Sequence, residues 1–136
     1  MNRWGSSFQS YQDNANGLLT FVMIETKTGL NNVEDILDVQ GVDGAFIGSY
    51  DLSASLGIAG QLNHPLLQDA EKRILDACHI AGKQAGILVF VPKKEAIVRV
   101  LEWGFDIISI GGDITFIQDA ARRYIDIVTT HLSYKG

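Results

Sequence analysis

Residues 18–57 read LLTFVMIETKTGLNNVEDILDVQGVDGAFIGSYDLSASLG, and their order decides the fold. Leu18 to Ile24 is an almost continuous apolar run rich in β-formers. Such a run suits a strand buried on both faces, as in a parallel sheet. Asn31 to Val39 follows, with Val33, Ile36, Leu37 and Val39 near helical spacing and Asn31 or Asn32 placed to cap the start. Gly41-Val42-Asp43-Gly44 then connects to a second short apolar strand, Ala45 to Ile47, which ends at Gly48. Asp51 to Gly57 reads as a short helical turn closed by glycine.

The same alternation continues downstream. Pro65 suits the first turn of a helix running to about Ala81. Its apolar face uses Leu66, Leu67, Ala70, Ile74, Ala77 and Cys78, and Gly82 stops it. Ala85 to Phe90 predicts a third strand, and Pro92 to Trp103 a helix ended by Gly104. Asp106 to Ile110 predicts a fourth strand, and Ile114 to Leu132 a last helix. Upstream, Phe8, Tyr11 and Ala15 share one face of a leading helical segment in residues 1–17. The chain therefore reads as a single α/β domain, residues 1–136, with four consecutive βα units in residues 18–136.

Strands alternating with helices mean a parallel sheet, and right-handed crossovers place the helices outside it. An open doubly wound sheet and a barrel both accommodate four such units. Two features favour a partial TIM (β/α)8-barrel. Polar residues follow the strands at Glu25, at Gly48 to Asp51 and at Gly111 to Asp113, the rim where barrels carry their chemistry. The Gly-x-Gly-x-x-Gly phosphate loop of a nucleotide fold is missing. A complete barrel needs about 250 residues and eight strands. This sequence has 136 residues, so the expectation is half of one.

Composition narrows the function classes. A net charge of −5 argues against nucleic acid, because neutralising phosphates needs clustered Lys and Arg. Lys93-Lys94 and Arg122-Arg123 read as solvated helix faces. One cysteine, Cys78, excludes an internal disulfide and a Cys-based zinc cluster, and its apolar neighbours Ala77 and Ile80 suggest burial. The first sixteen residues are too polar for a signal peptide. The apolar runs fall far short of the roughly 20 residues that span a bilayer. A soluble, cytoplasmic protein with no membrane partner is expected.

Glu25 ends the first strand. An ionised carboxylate beside so apolar a strand costs several kcal/mol unless it has a partner, such as a salt bridge or a cap for the next turn. Asp51 follows the second strand, where an N-cap is the ordinary use of aspartate. Their spacing is one βα unit plus the next strand, so both reach the same rim. Neighbouring strands lie about 4.8 Å apart, and two carboxylates at one level repel unless protonated, bridged or metallated. A hard cation such as Mg²⁺ suits one or two carboxylates plus waters and substrate oxygens, and Mn²⁺ or Co²⁺ can substitute.

Residues 22 to 57, together with Asn63-His64-Pro65, Ala81 to Leu88 (AGKQAGIL) and Gly104 to Asp113 (GFDIISIGGD), resemble the HpcH/HpaI family of metal-dependent 2-oxo-acid aldolases. The lead-in RWGSSFQSYQDNAN resembles the family's preceding segment, so the likeness covers essentially the whole chain. It implies that Glu25 and Asp51 bind the catalytic divalent metal, Mg²⁺ foremost. It implies that the Gly48-Ser49-Tyr50-Asp51 loop holds the substrate carboxylate through the Tyr50 and Asp51 N–H groups, and that Leu88 borders the substrate pocket. Many relatives carry Pro where this chain has Ser49, so the φ restriction of proline is lost there. The implied reaction is retro-aldol cleavage of a 4-hydroxy-2-oxo acid to pyruvate and an aldehyde. The implied cation acts as a Lewis acid for the charge that develops as the C3–C4 bond breaks.

The likeness begins midway through the family's barrel. Its first four βα units, with the catalytic arginine and histidine, have no counterpart here, so no residue takes those roles. Arg3 and Arg99 read as surface charges. His64 lies in a loop near the rim, while His79 and His131 sit on helices without a ligand at suitable spacing. Asp113 reads as the N-cap of the last helix, Lys27 as solvent-facing, and Trp4 and Trp103 as packing. Ser53 and Ser55 lack a local His or Asp partner for nucleophilic chemistry. Open edges at the outer strands and one open apolar sheet face predict a homo-oligomer or a complementing half-barrel chain. Three readings stay open: an aldolase completed by a second chain, a non-catalytic fragment that binds metal and 2-oxo acid, and an assembly module.

Overall fold

The computed structural model describes residues 17–91 and 93–133. The leading helical segment expected in residues 1–17 falls outside them, apart from Gly17. The elements are β1 (Phe21–Ile24), α1 (Lys27–Asn31), α2 (Val33–Leu37), β2 (Gly44–Ile47) and α3 (Ser49–Ser55). They continue with α4 (Pro65–Ile80), β3 (Gln84–Val89), α5 (Lys94–Trp103), β4 (Ile107–Ile110) and α6 (Asp113–Ser133). The four strands form one sheet in the order β1-β2-β3-β4, and every pair is parallel. The architecture is that of a partial (β/α)8-barrel.

Two local expectations are corrected. The first strand starts at Phe21 and not at Leu18, which is 67% exposed. The ladder opens only where β2 offers partners: Asp43 N–H donates to Thr20 O (2.8 Å), Thr20 N–H donates to Asp43 Oδ2 (2.6 Å), and Phe21 pairs with Gly44. The helix expected over Asn31 to Val39 is shorter, Val33–Leu37, and it is preceded by a helix that was not expected, Lys27–Asn31. Thr26 starts α1 early by accepting from Gly29 N–H through Oγ1 (3.0 Å). Asn32, with φ −112° and ψ 19°, breaks the helix and serves as C-cap of α1 and N-cap of α2.

Register sets the two faces of the sheet. Ile24, Ile47, Ile87 and Ile108 stand in one row across the four strands. With Ala45, Ala85 and Val89, the first three of these join Val33, Leu37, Leu52, Leu67, Ile74, Leu75, Cys78 and Val100 in the core. Each fully buried aliphatic side chain contributes roughly 1.5–3 kcal/mol. Side chains alternate along a strand, so the residue after each isoleucine points the other way. Those residues are Glu25, Gly48, Leu88 and Ser109.

That second face carries Met23, 58% exposed, and the half-buried Phe46 and Leu88. Phe46 lies over Gly86 of the neighbouring strand, and a Cβ on Gly86 would stand 2.4 Å from the ring. Helix α6 leaves Ile117, Tyr124, Ile125, Val128 and Leu132 exposed. Among the described residues, no helix is long and apolar enough to cross a membrane.

Candidate functional site

Glu25 and Asp51 are held at the C-terminal end of the sheet by backbone links between their loops. Gly48 N–H donates to Ile24 O (3.2 Å), joining the ends of β1 and β2. Lys27 N–H donates to Ser55 Oγ (2.9 Å), tying the segment after Glu25 to the far end of α3. The half-buried Glu25 side chain lies across Gly48: a Cβ there would stand 2.9 Å from Glu25 Cβ and 3.0 Å from Oε2. Only glycine leaves room for the carboxylate at this level. Asp51 is exposed, in the first turn of α3, three positions beyond Gly48.

The ordinary structural uses of these carboxylates are taken by other residues. Thr26, not Glu25, caps α1. Gly48 occupies the N-cap position of α3, and Asp51 lies inside the helix. Among the described residues, neither carboxylate has an ion-pair partner. There is also no group of three or more His, Cys, Asp or Glu side chains that could hold a metal. Two carboxylates without a third protein ligand suit a cation that keeps several waters, as Mg²⁺ does, and do not suit a closed zinc site. The donor set fits the implied cation.

Leu88 is half-buried on the same sheet face as Glu25, and Ser109 is at its level on β4. Tyr50 stacks edge-on against Phe90, with centroids 5.8 Å apart and planes at 85°. The N–H groups of Ser49, Tyr50 and Asp51 precede the first intrahelical bond of α3, from Leu52 N–H to Gly48 O (2.9 Å), so they are the free donors of its first turn.

Behind this loop lies a polar cluster that sequence reading missed. Ser49 Oγ donates to Glu71 Oε1 at 2.7 Å, and both residues are buried. Glu71 Oε2 has no hydrogen-bond partner among the described residues. Burial pushes the Glu71 carboxyl above its ordinary value, opposed by the Ser49 hydroxyl and the Arg99 charge. Arg99, expected to be a surface charge, is half-buried with an unpartnered, buried Nε. Its Nη1 donates to Asn63 Oδ1 (3.3 Å), and the guanidinium lies 5.5 Å from the Trp103 ring centroid. A cavity of about 240 Å³ adjoins these groups, lined by Ser49, Tyr50, Glu71 and Arg99 among others. A legible signal existed: Glu71 sits on the apolar stripe formed by Leu67, Ala70, Ile74, Leu75 and Cys78. Leu66, expected on that stripe, is 45% exposed.

The remaining candidates have structural work. His64 Nδ1 accepts from Leu66 N–H (3.1 Å) and caps α4. His79 does have a carboxylate neighbour, Asp106, at 3.4 Å, and Asp106 Oδ2 also accepts from Ala85 N–H (2.8 Å). Asp113 accepts from Ile114 N–H (2.7 Å) at the start of α6. Ser53 Oγ donates to Tyr50 O (2.6 Å) and accepts from Gly60 N–H (2.9 Å).

The match to known proteins follows this layout along almost the whole chain. The profile of the HpcH/HpaI aldolase/citrate lyase family matches residues 8–134, and the chain belongs to that family. It is 40% identical over 135 residues to the hydroxypyruvate/pyruvate aldolase of Chromohalobacter salexigens, covering 98% of this chain and 50% of the relative. It is 39% identical over 119 residues to the 2-keto-3-deoxy-L-rhamnonate aldolase of Escherichia coli, covering 87% of this chain and 43% of the relative. Among solved structures, a HpcH/HpaI aldolase/citrate lyase family protein from Burkholderia cenocepacia J2315 superposes with a TM-score of 0.80 at 32% identity. That alignment covers 90% of this chain and 47% of the other. The chain thus spans about half the length of the relatives it matches.

Proposed function

We propose that this chain supplies the metal-binding half of an aldolase site that cleaves a 4-hydroxy-2-oxo acid to pyruvate and an aldehyde. The observation that carries the reading is the Glu25–Gly48–Asp51 arrangement. Two carboxylates without ion-pair partners follow neighbouring parallel strands at one end of the sheet, and a glycine makes room for the first of them, which supports this reading.

In this reading Glu25 and Asp51 hold a divalent cation, Mg²⁺ or in its place Mn²⁺ or Co²⁺. When bound, the cation supplies Lewis acidity toward the 2-oxo acid. The Tyr50 and Asp51 N–H groups take the substrate carboxylate at the start of α3. Gly48 and Ser49 shape that loop, and Leu88 gives the neighbouring wall an apolar surface that keeps water from the reacting carbon. Half a barrel encloses half a site, so the activity needs four further βα units. Further sequence, a complementing chain or a second copy would supply them, closing over the sheet face that carries Met23, Phe46 and Leu88.

Calorimetry with Mn²⁺, with and without pyruvate, tests the ligand pair. Wild type should bind the metal, and Glu25→Ala/Asp51→Ala should lose it. Equal binding by the two proteins would refute the assignment. Pyruvate release coupled to lactate dehydrogenase tests catalysis, for the chain alone and with the N-terminal half of the Chromohalobacter relative added. Release only from the mixture supports a complementing half. Release from neither, with metal binding intact, would favour a binding fragment.

A further inference from the structure

Helix α3 carries Asp51 but is poorly equipped to hold itself in place. It has seven residues, and its N-cap, Gly48, offers no side-chain hydrogen bond. So short a helix depends on tertiary anchors. At its first position the anchor is the Ser49 hydroxyl, which points into the core and donates to Glu71. Glu71 is well placed for this: it belongs to the sixteen-residue α4 and is flanked on its stripe by Leu67, Ile74 and Leu75, all 0% exposed.

A carboxylate on the buried stripe of a helix is costly, and an apolar residue would fill the place more stably. Among the described residues, the Glu71 side chain makes one hydrogen bond, and it goes to the first turn of the helix that carries Asp51. Arg99 supplies a compensating charge from α5. The hydrogen bond from Ser49 therefore ties α4 to the turn that carries Asp51, two residues on, with the Arg99 charge acting on Glu71 from α5.

We propose that Glu71 is a positioning residue: through the buried Ser49 hydroxyl it fixes the first turn of α3, and so sets Asp51 opposite Glu25. The inference rests on reading Glu25 and Asp51 as metal ligands, and the test separates the two. Mn²⁺ affinity and amide exchange are measured on the 136-residue wild type, Glu71→Leu, Ser49→Ala, the double variant and Glu71→Gln. Glu71→Leu and Ser49→Ala should each weaken Mn²⁺ by about five- to tenfold, the loss of one hydrogen bond to a buried acceptor. The double variant should be no weaker than Glu71→Leu. Glu71→Gln keeps an acceptor for Ser49 and should stay within about twofold of wild type.

The Leu52 amide, bonded to Gly48 O, should exchange faster in Glu71→Leu and Ser49→Ala, while amides pairing β2 with β3 keep their rates. Wild-type Mn²⁺ affinity in a folded Glu71→Leu protein would overturn the proposal. So would a uniform rise in exchange across β2 and β3, the mark of a merely structural role. If wild type binds no Mn²⁺, the ligand reading fails on its own. The exchange at Leu52 then decides the positioning: selective acceleration upholds it, and no acceleration overturns it.

Discussion

At the residue scale the site depends on one missing side chain. A Cβ on Gly48 would stand 2.9 Å from Glu25 Cβ, so Gly48→Ala must push the Glu25 side chain aside or shift the end of β2. The variant should lose about 1–3 kcal/mol of stability in urea melts, the usual cost of overpacking. It should also weaken Mn²⁺ more than its fold loss accounts for. Glu71 makes a pH prediction. Burial raises its pKa, so between the ordinary value of 4.5 and the raised one the folded protein binds the proton more tightly than the unfolded chain. The stability that this group contributes is full below 4.5 and is lost as pH rises through the folded value. Glu71→Gln has no such proton to lose, so its stability relative to wild type should climb as pH rises from 4.5 through the raised folded value. A pH-independent gap would count against that assignment. The places of Glu25 and Asp51 just beyond β1 and β2 were legible because each follows an apolar strand run. The Ser49–Glu71 hydrogen bond was not, because it joins a loop to a helix turn 22 residues away.

At the element scale, alternation of apolar strand and amphipathic helix placed every strand and the three long helices to within a few residues. Periodicity failed where local hydrogen bonds compete with it. Thr26 starts α1 four residues ahead of Leu30, the one apolar side chain that this helix buries, so no apolar repeat marked the start. Thr26→Ala should cost about 1 kcal/mol in chemical melts, the usual loss on removing a Thr cap. An unchanged midpoint would mean that the Gly29 N–H finds another acceptor. Pattern also missed how β2 and β3 come together, since Phe46 occupies the space that a side chain at Gly86 would need. Gly86→Val should therefore destabilise more than Gly48→Ala, because a ring and a strand must both move.

At the scale of the whole molecule, half a barrel leaves apolar surface that a single copy does not cover. Met23 on the open sheet face and Ile117 and Tyr124 on α6 are each more than half exposed. Patches of this kind mark contact surfaces. The chain should self-associate at micromolar concentration, and a single monomeric species in light scattering would refute this. Aspartates at Met23 and Ile117 should shift the distribution toward monomer without unfolding the sheet, checked by circular dichroism. The half-barrel itself was legible from the count of strands against chain length. The open outer strands and the open sheet face were legible too, whereas the exposed apolar side chains of α6 were not, because α6 reads in sequence like any barrel helix.

The parallel order of the sheet has a further consequence, in symmetry and charge. Strands that complete a barrel must run in the same direction as those already present, so whatever docks brings its own C-terminal rim to the same mouth. A second copy would bring a second Glu25 and Asp51, gathering four anions at one opening of an assembly whose chains each carry −5. A partner with cationic residues at its rim would balance the mouth, whereas an identical one would burden it. In the proposed assembly, strand direction would make rim charge count: a twin could still associate through its apolar surface, but a more basic half would meet less repulsion at the mouth.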